Sequence, residues 1–211
     1  QTDFGDARVQ VICLPKNLGF GKGHNSIMDR LTSDVHFILN PDVIIHDDIL
    51  PQMAQWLLDH PGVVMATPQL YFPDGRIQNL PRRKPTPWLL LARQLAPRFG
   101  GVMQKADEHY TMQDEDLTIP RPIEFCTGSF AAIRTDVFKT IGGFDPEYFM
   151  YVEDADLTQR ALCQGLVYLL PQFTATHAWH RDPTRDAGKF KMQLKSMGRY
   201  FKKWGIGKGN V

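Results

Sequence analysis

The chain has 211 residues, 43% of them hydrophobic, which is enough for one substantial core. Its 24 basic and 23 acidic side chains nearly cancel, so overall charge does not mark a nucleic-acid binder, and no apolar run approaches the roughly 18 residues of a membrane-spanning helix. Three widely spaced cysteines, Cys13, Cys126 and Cys163, follow no zinc-ligand pattern and read as reduced thiols in a cytosolic setting.

In chain order, the β-branched stretch at residues 9–14 predicts a strand closed by Pro15. A glycine-rich loop follows, Asn17-Leu18-Gly19-Phe20-Gly21-Lys22-Gly23-His24-Asn25, leading into a helix predicted over residues 25–31. Three glycines in five residues let backbone amides approach a ligand closely. The spacing is neither a Walker loop nor GxGxxG, and a plain flexible turn accounts for it equally well. Residues 35–39 predict a buried strand ending in Asn40-Pro41-Asp42. A carboxylate at the C-terminal end of such a strand stands where α/β sheets bind ligands, and it is the hard oxygen donor that a divalent cation prefers. Asp47 and Asp48 are nearer candidates to cap the helix predicted over residues 49–58, which leaves Asp42 for other work. A strand is predicted at residues 62–66.

Residues 68–122 change character, with eight prolines, a basic run Arg82-Arg83-Lys84, a hairpin signal at Asp74-Gly75 and a short helix at residues 88–95. This stretch reads as an elaboration on one domain. Residues 123–133 predict a strand broken at Gly128, and residues 136–141 a short helix. The densest pattern comes next. A Gly142-Gly143 turn precedes the aromatic Phe144, Tyr148, Phe149 and Tyr151, among which stand Asp145, Glu147, Glu153, Asp154 and Asp156. Helical spacing then puts Leu157 and Ala161 on one face and sets Asp156 four residues before Arg160, the spacing of an ion pair. Acidic residues in a first turn complement the helix dipole, which alone would explain them. The aromatic segment adds a second reading, in which a carboxylate at the rim of an apolar pocket has a raised pKa and acts as a general base.

After Gly165, residues 167–170 predict a strand, with His177, His180, Arg181 and Asp182 beyond it. The last helix carries Phe190, Leu194, Met197, Phe201 and Trp204 on one stripe among six Lys and Arg side chains. Such a helix either packs on the domain or lies at an anionic lipid surface.

The order of these motifs is the informative part. Asn17-Leu18-Gly19-Phe20-Gly21 with Asn25, Leu39-Asn40-Pro41-Asp42, Thr127-Gly128-Ser129-Phe130, Gly143-Phe144-Asp145 with Glu153-Asp154-Ala155-Asp156-Leu157 and Arg160, and finally His177 resemble glycosyltransferase family 2. Within it, the chain looks most like bacterial rhamnosyltransferases of cell-surface polysaccharide synthesis, O antigen included. The resemblance implies an α/β, GT-A (Rossmann-like) mixed sheet flanked by helices and an inverting transfer. It implies a single domain over residues 1–211, with 68–122 as an acceptor-side elaboration and 184–204 as a basic amphipathic helix.

By position, the resemblance implies Asp42 and His177 as ligands of Mg2+ or Mn2+, with His180 the fallback. It implies Asn17, Gly19, Phe20, Asn25, Asn40 and Arg181 on the donor diphosphate, Gly128, Ser129 and Asp156 on the acceptor, and Asp154 with Glu153 as the catalytic carboxylates. The expected partners are a nucleotide-diphosphate sugar such as dTDP-rhamnose and a lipid-linked saccharide, at the cytoplasmic face of the plasma membrane. The family's opening strand-helix-strand, which holds the nucleobase and ribose, is expected to be missing, so these residues alone are expected to bind donor poorly and turn over little. Two rivals remain from the residues: a metal-dependent nucleotidyltransferase using Asp42 and Asp154, and a non-catalytic remnant of the fold.

Overall fold

A computed structural model describes residues 5–178 and 187–206. Its frame is one mixed sheet built from β1 (Val35–Leu39), β2 (Val43–Ile44), β3 (Val63–Tyr71), the two-residue β4 (Arg121–Pro122), β5 (Phe130–Arg134) and β6 (Leu166–His177). The strand order is β1-β5-β3-β6-β2, with β4 beside β6. β3 and β6 run parallel and every other pair is antiparallel.

Alternation along β5 shows how the sheet divides the core. Phe130 and Ala132 join Ile49, Met53 and Leu57 of α2 (Ile49–Asp59) on one face. Ala131 and Ile133 face the other way, to Phe138 of α5 (Thr135–Thr140) and Leu157 and Ala161 of α6 (Glu153–Leu162). Burial on both faces explains why Val63, Val64, Met65 and Ala66 form an unbroken apolar run in place of an alternating one.

The predicted strand at residues 9–14 does not form. Val9, Val11, Ile12 and Leu14 are 38–48% exposed. A β-prone run makes a strand only beside a partner, and here none of the sheet pairings reaches it. The helix expected over residues 25–31 starts earlier, as α1 (Phe20–Asn25), and gives way to a 3-10 turn at Met28–Arg30. Gly19, at φ 84°, makes that early start. Residues 68–122 hold more helix than expected: α3 (Pro87–Phe99) and α4 (Gly101–Tyr110) stack against each other after a bend at Gly100 and Gly101, both at φ 54°. α3 starts as its residues dictate, with Pro87 in the first turn and Leu89 N–H donating to Thr86 Oγ1 at 3.2 Å. Only the second half of the predicted 123–133 strand is formed.

α7 (Ala187–Trp204) docks by its C-terminal half. Tyr200 is fully buried and, with Phe201 and Trp204, packs on Phe125, Val152 and Ala155. The predicted stripe is therefore only half used, since Phe190 and Leu194 stay 42% and 50% exposed. Among the described residues no helix is long and apolar enough to cross a membrane.

Candidate active site

Strand pairing gathers the distant motifs. Leu39 pairs with Phe130 and Asn40 N–H donates to Ser129 O at 2.9 Å, so the chain leaving β1 runs beside Gly128 and Ser129. Val43 pairs with His177, and Ala178 N–H donates to Asp42 O at 3.1 Å. These contacts bring Asp42 Oδ1 to 3.4 Å from His177 Nε2. A buried side chain that the sequence reading did not single out, Gln78, orients the histidine. Its Nε2 donates to His177 O at 2.7 Å, which turns its Oε1 toward His177 Nδ1 at 3.2 Å. With the Nδ1 proton given to that oxygen, Nε2 is the nitrogen that faces Asp42. Nothing in the pattern around Gln78 announces this role, because it depends on a hairpin bringing residue 78 back beside β3 and β6.

The acidic segment arrives by a costly turn. Tyr151 and Val152 both have positive φ, 70° and 68°, a conformation that an aromatic and a β-branched residue rarely adopt. The turn starts α6 directly at Glu153. The Asp154 carboxylate accepts hydrogen bonds from Gly128 N–H at 3.2 Å and from Ala155 N–H at 2.9 Å. Burial pushes its pKa above the ordinary carboxylate range, opposed by those two amides and by the Arg82 charge. Gly128 is required by closeness: a Cβ there would stand 3.1 Å from the Phe20 ring and 3.3 Å from Asp154 Cβ.

One cavity of about 340 Å³ connects these groups. Of the residues expected at the site, Phe20, Asn40, Asp42, Gly128, Ser129, Glu153, Asp154 and His177 line it. Tyr151, of the aromatic segment expected to wall a pocket, lines it as well, and so do Arg82, Tyr110 and Tyr200, which were not expected there.

Four expected site residues serve the scaffold instead. Asn17 is exposed and its Oδ1 accepts from Gly19 N–H at 2.9 Å. Gly19 makes room for the Phe149 carbonyl, since a Cβ there would lie 2.2 Å from that oxygen. Asn25 clasps the main chain of Phe144 in both directions, Nδ2 donating to its carbonyl at 2.7 Å and Oδ1 accepting from its N–H at 2.8 Å. The glycine loop thus approaches the chain's own aromatic segment closely. Asp156 is fully buried away from the cavity, taking Arg160 Nε at 2.8 Å, Trp204 Nε1 at 2.9 Å and Lys203 Nζ at 2.8 Å. The ion pair with Arg160 expected from the spacing is therefore made. His180, Arg181 and Asp182 lie outside the described residues. The described residues hold no cluster of three or more acidic, histidine or cysteine side chains able to bind a metal.

The chain has counterparts among known proteins. The model of the family described as "Glycosyltransferase like family 2" matches residues 1–200. The chain belongs to this family. It is 39% identical over 193 residues to the rhamnosyltransferase WbbL of Escherichia coli (strain K12), covering 86% of this chain and 69% of that protein. It is 27% identical over 169 residues to an N-acetylglucosaminyl-diphospho-decaprenol L-rhamnosyltransferase of Mycobacterium tuberculosis, covering 72% of this chain and 52% of that protein. The chain thus spans about half the length of that second relative. The fold matches the crystal structure of GalNAc-T7 with UDP, GalNAc and Mn2+, at a TM-score of 0.64 and 15% identity over 92% of this chain and 37% of that one. The expected GT-A architecture is present.

Proposed function

We propose that the chain moves a sugar, rhamnose from a nucleotide-diphosphate donor such as dTDP-rhamnose, onto a hydroxyl of a lipid-linked saccharide, with inversion. The observation that carries this reading is Asp154. It is half-buried at the cavity wall, desolvation raises its pKa, and two backbone amides fix its carboxylate. A carboxylate so held accepts a proton from an acceptor hydroxyl as that oxygen attacks the anomeric carbon. The hydroxyl and the donor must then lie on opposite sides of the reacting carbon, so one displacement inverts it and no covalent intermediate is needed. Gly128 brings its backbone against Asp154, and Glu153 adds a second acidic side chain to the same wall.

The donor side is assigned to Asn40, Asp42 and His177, which line the same cavity at the ends of β1 and β6. One carboxylate oxygen and one imidazole nitrogen 3.4 Å apart, the latter oriented by Gln78, fit a divalent cation that keeps its remaining positions for diphosphate oxygens and water. Mg2+ or Mn2+ held there would supply the neutralising charge for the leaving diphosphate. Relatives named as rhamnosyltransferases, one of them for a diphospho-decaprenol substrate, support the choice of sugar and acceptor. A lipid-linked acceptor in turn favours work at the cytoplasmic face of the membrane.

The test compares the full-length protein with its Asp154→Asn variant for sugar transfer from dTDP-rhamnose with Mn2+. The variant is expected to lose a hundredfold or more in kcat, the usual worth of a general base, while binding nucleotide diphosphate unchanged. Equal turnover in the variant rejects Asp154 as the base. Release of pyrophosphate in place of nucleoside diphosphate would favour nucleotidyl transfer instead.

A further inference from the structure

The basic run Arg82-Arg83-Lys84 divides by destination. Arg83 binds the elaboration it belongs to, Nη1 donating to Asp114 Oδ1 at 2.7 Å and Nη2 to Glu115 Oε1 at 2.9 Å. Lys84 Nζ donates to the Trp204 carbonyl at 3.3 Å, at the C-terminal end of α7. Of the three, only Arg82 lines the cavity. An isolated backbone bridge to Phe125 holds it there, and its guanidinium lies 5.1 Å from the Phe125 ring centre and 5.9 Å from that of Tyr110. Its Nε is buried with no hydrogen-bond partner.

Two phenols share this condition. Tyr200, fully buried, and Tyr151 both line the cavity, and both hydroxyls are buried without partners. Native interiors rarely leave such groups unpaired, so three of them around one cavity, one cationic, describe a place for an oxygen-rich anion. The cluster belongs to the Asp154 side, because Phe125 and Tyr200 pack on Ala155, the next residue along α6. The cavity wall continues in apolar side chains, Leu90 of α3 and Met197 of α7. Those same helices carry the exposed Trp88 and Leu91, and Phe190 and Leu194. A charged subsite bordered by apolar surface suits an amphiphile with an anionic head.

We infer that Arg82, with Tyr200 and Tyr151, forms the subsite for a phosphate of the lipid-linked acceptor. This rests on the glycosyl-transfer reading for the acceptor's role, but the subsite can be tested by binding alone. The probe is farnesyl diphosphate, titrated calorimetrically into the chain saturated with dTDP and Mn2+, beside farnesol and inorganic pyrophosphate. Farnesyl diphosphate is expected to bind at least tenfold more tightly than either.

Arg82→Gln should weaken farnesyl diphosphate binding by roughly 10- to 100-fold, the worth of a charged hydrogen bond, with dTDP affinity held within twofold. Tyr200→Phe, which removes one hydroxyl and keeps the packing, should weaken it by roughly 3- to 10-fold and guards against misfolding of the first variant. No binding of farnesyl diphosphate by the parent, or equal binding by both variants, overturns the subsite. An equal loss of dTDP binding in Arg82→Gln moves Arg82 to the donor side and overturns it as well. Pyrophosphate binding as tightly as farnesyl diphosphate overturns the amphiphile. Arg82-dependent binding by a full-length protein that transfers no sugar counts against glycosyl transfer and leaves the subsite established.

Discussion

Asp154 and Asp156 stand two residues apart on α6 and differ in setting, Asp154 half-buried at the cavity wall and Asp156 fully buried. Asp154 faces the cavity and holds its charge with two amide donors, the Arg82 cation adding a more distant attraction. Asp156 faces α7 and is gripped by Arg160, Lys203 and the Trp204 indole. A helix turns about 100° per residue, so neighbours two apart point to nearly opposite sides, and one side of this helix start meets the cavity while the other meets α7. The pair teaches that an acidic cluster in a sequence is several sites superimposed. One carboxylate is left with an unmet demand and the other is fully compensated.

The comparison can be broken most forcefully through Asp154. Beyond its loss of turnover, Asp154→Asn should flatten the pH dependence of the melting temperature, although its amide can accept from only one of the two N–H donors. Burial lifts the folded-state pKa above that of the unfolded chain, so between the two values the folded protein keeps a proton that the unfolded chain has released. Stability therefore falls as pH rises through that window, and the neutral amide removes that dependence. For the same reason, kcat of the parent should rise with pH along a limb displaced above the ordinary carboxylate range, and a limb at the ordinary value would contradict the burial argument.

Asp156→Asn should do the reverse. Removing one partner of a buried ion pair costs about 3–5 kcal/mol, to be read by denaturant unfolding, with turnover per folded molecule little changed. A variant as stable as the parent would make the compensation illusory. Gly143→Ala tests the scaffold behind both. It forces a side chain onto φ 64° and to 2.4 Å from Asn25 Oδ1, and a loss of about 1–3 kcal/mol is expected, with the Asn25 clasp of Phe144 broken. The smallest effect is Lys203→Ala. The side chain is 35% exposed, so solvent screening limits the loss to about 1 kcal/mol, and less at high salt.

The sequence made β1, α2, α5, α6 and the start of β6 legible because each is apolar at the period of its element. It also carried Asn40, Asp42, Asp154 and His177, because strand ends and helix starts expose the residues that follow or begin them. What it hid were contacts between separated segments. Asn25 reads as a ligand-loop residue until Phe144 is seen 119 positions away. Gln78 and Tyr200 carry no local mark at all and Arg82 is marked only as part of a basic run, since the meaning of each comes from partners distant in sequence. The 9–14 stretch misled in the opposite sense: its propensity for a strand was real, but its pairing was absent.

The bond from Lys84 to the end of α7 has a kinetic side. It ties residue 84 to residue 204, while the Asp156 contacts tie residue 156 to residues 203 and 204. The sheet is held by pairings that do not involve α7, whereas the wall bearing Met197 and Tyr200 is made by α7 itself. Unfolding that begins by peeling α7 away would therefore open the cavity while the sheet still stands.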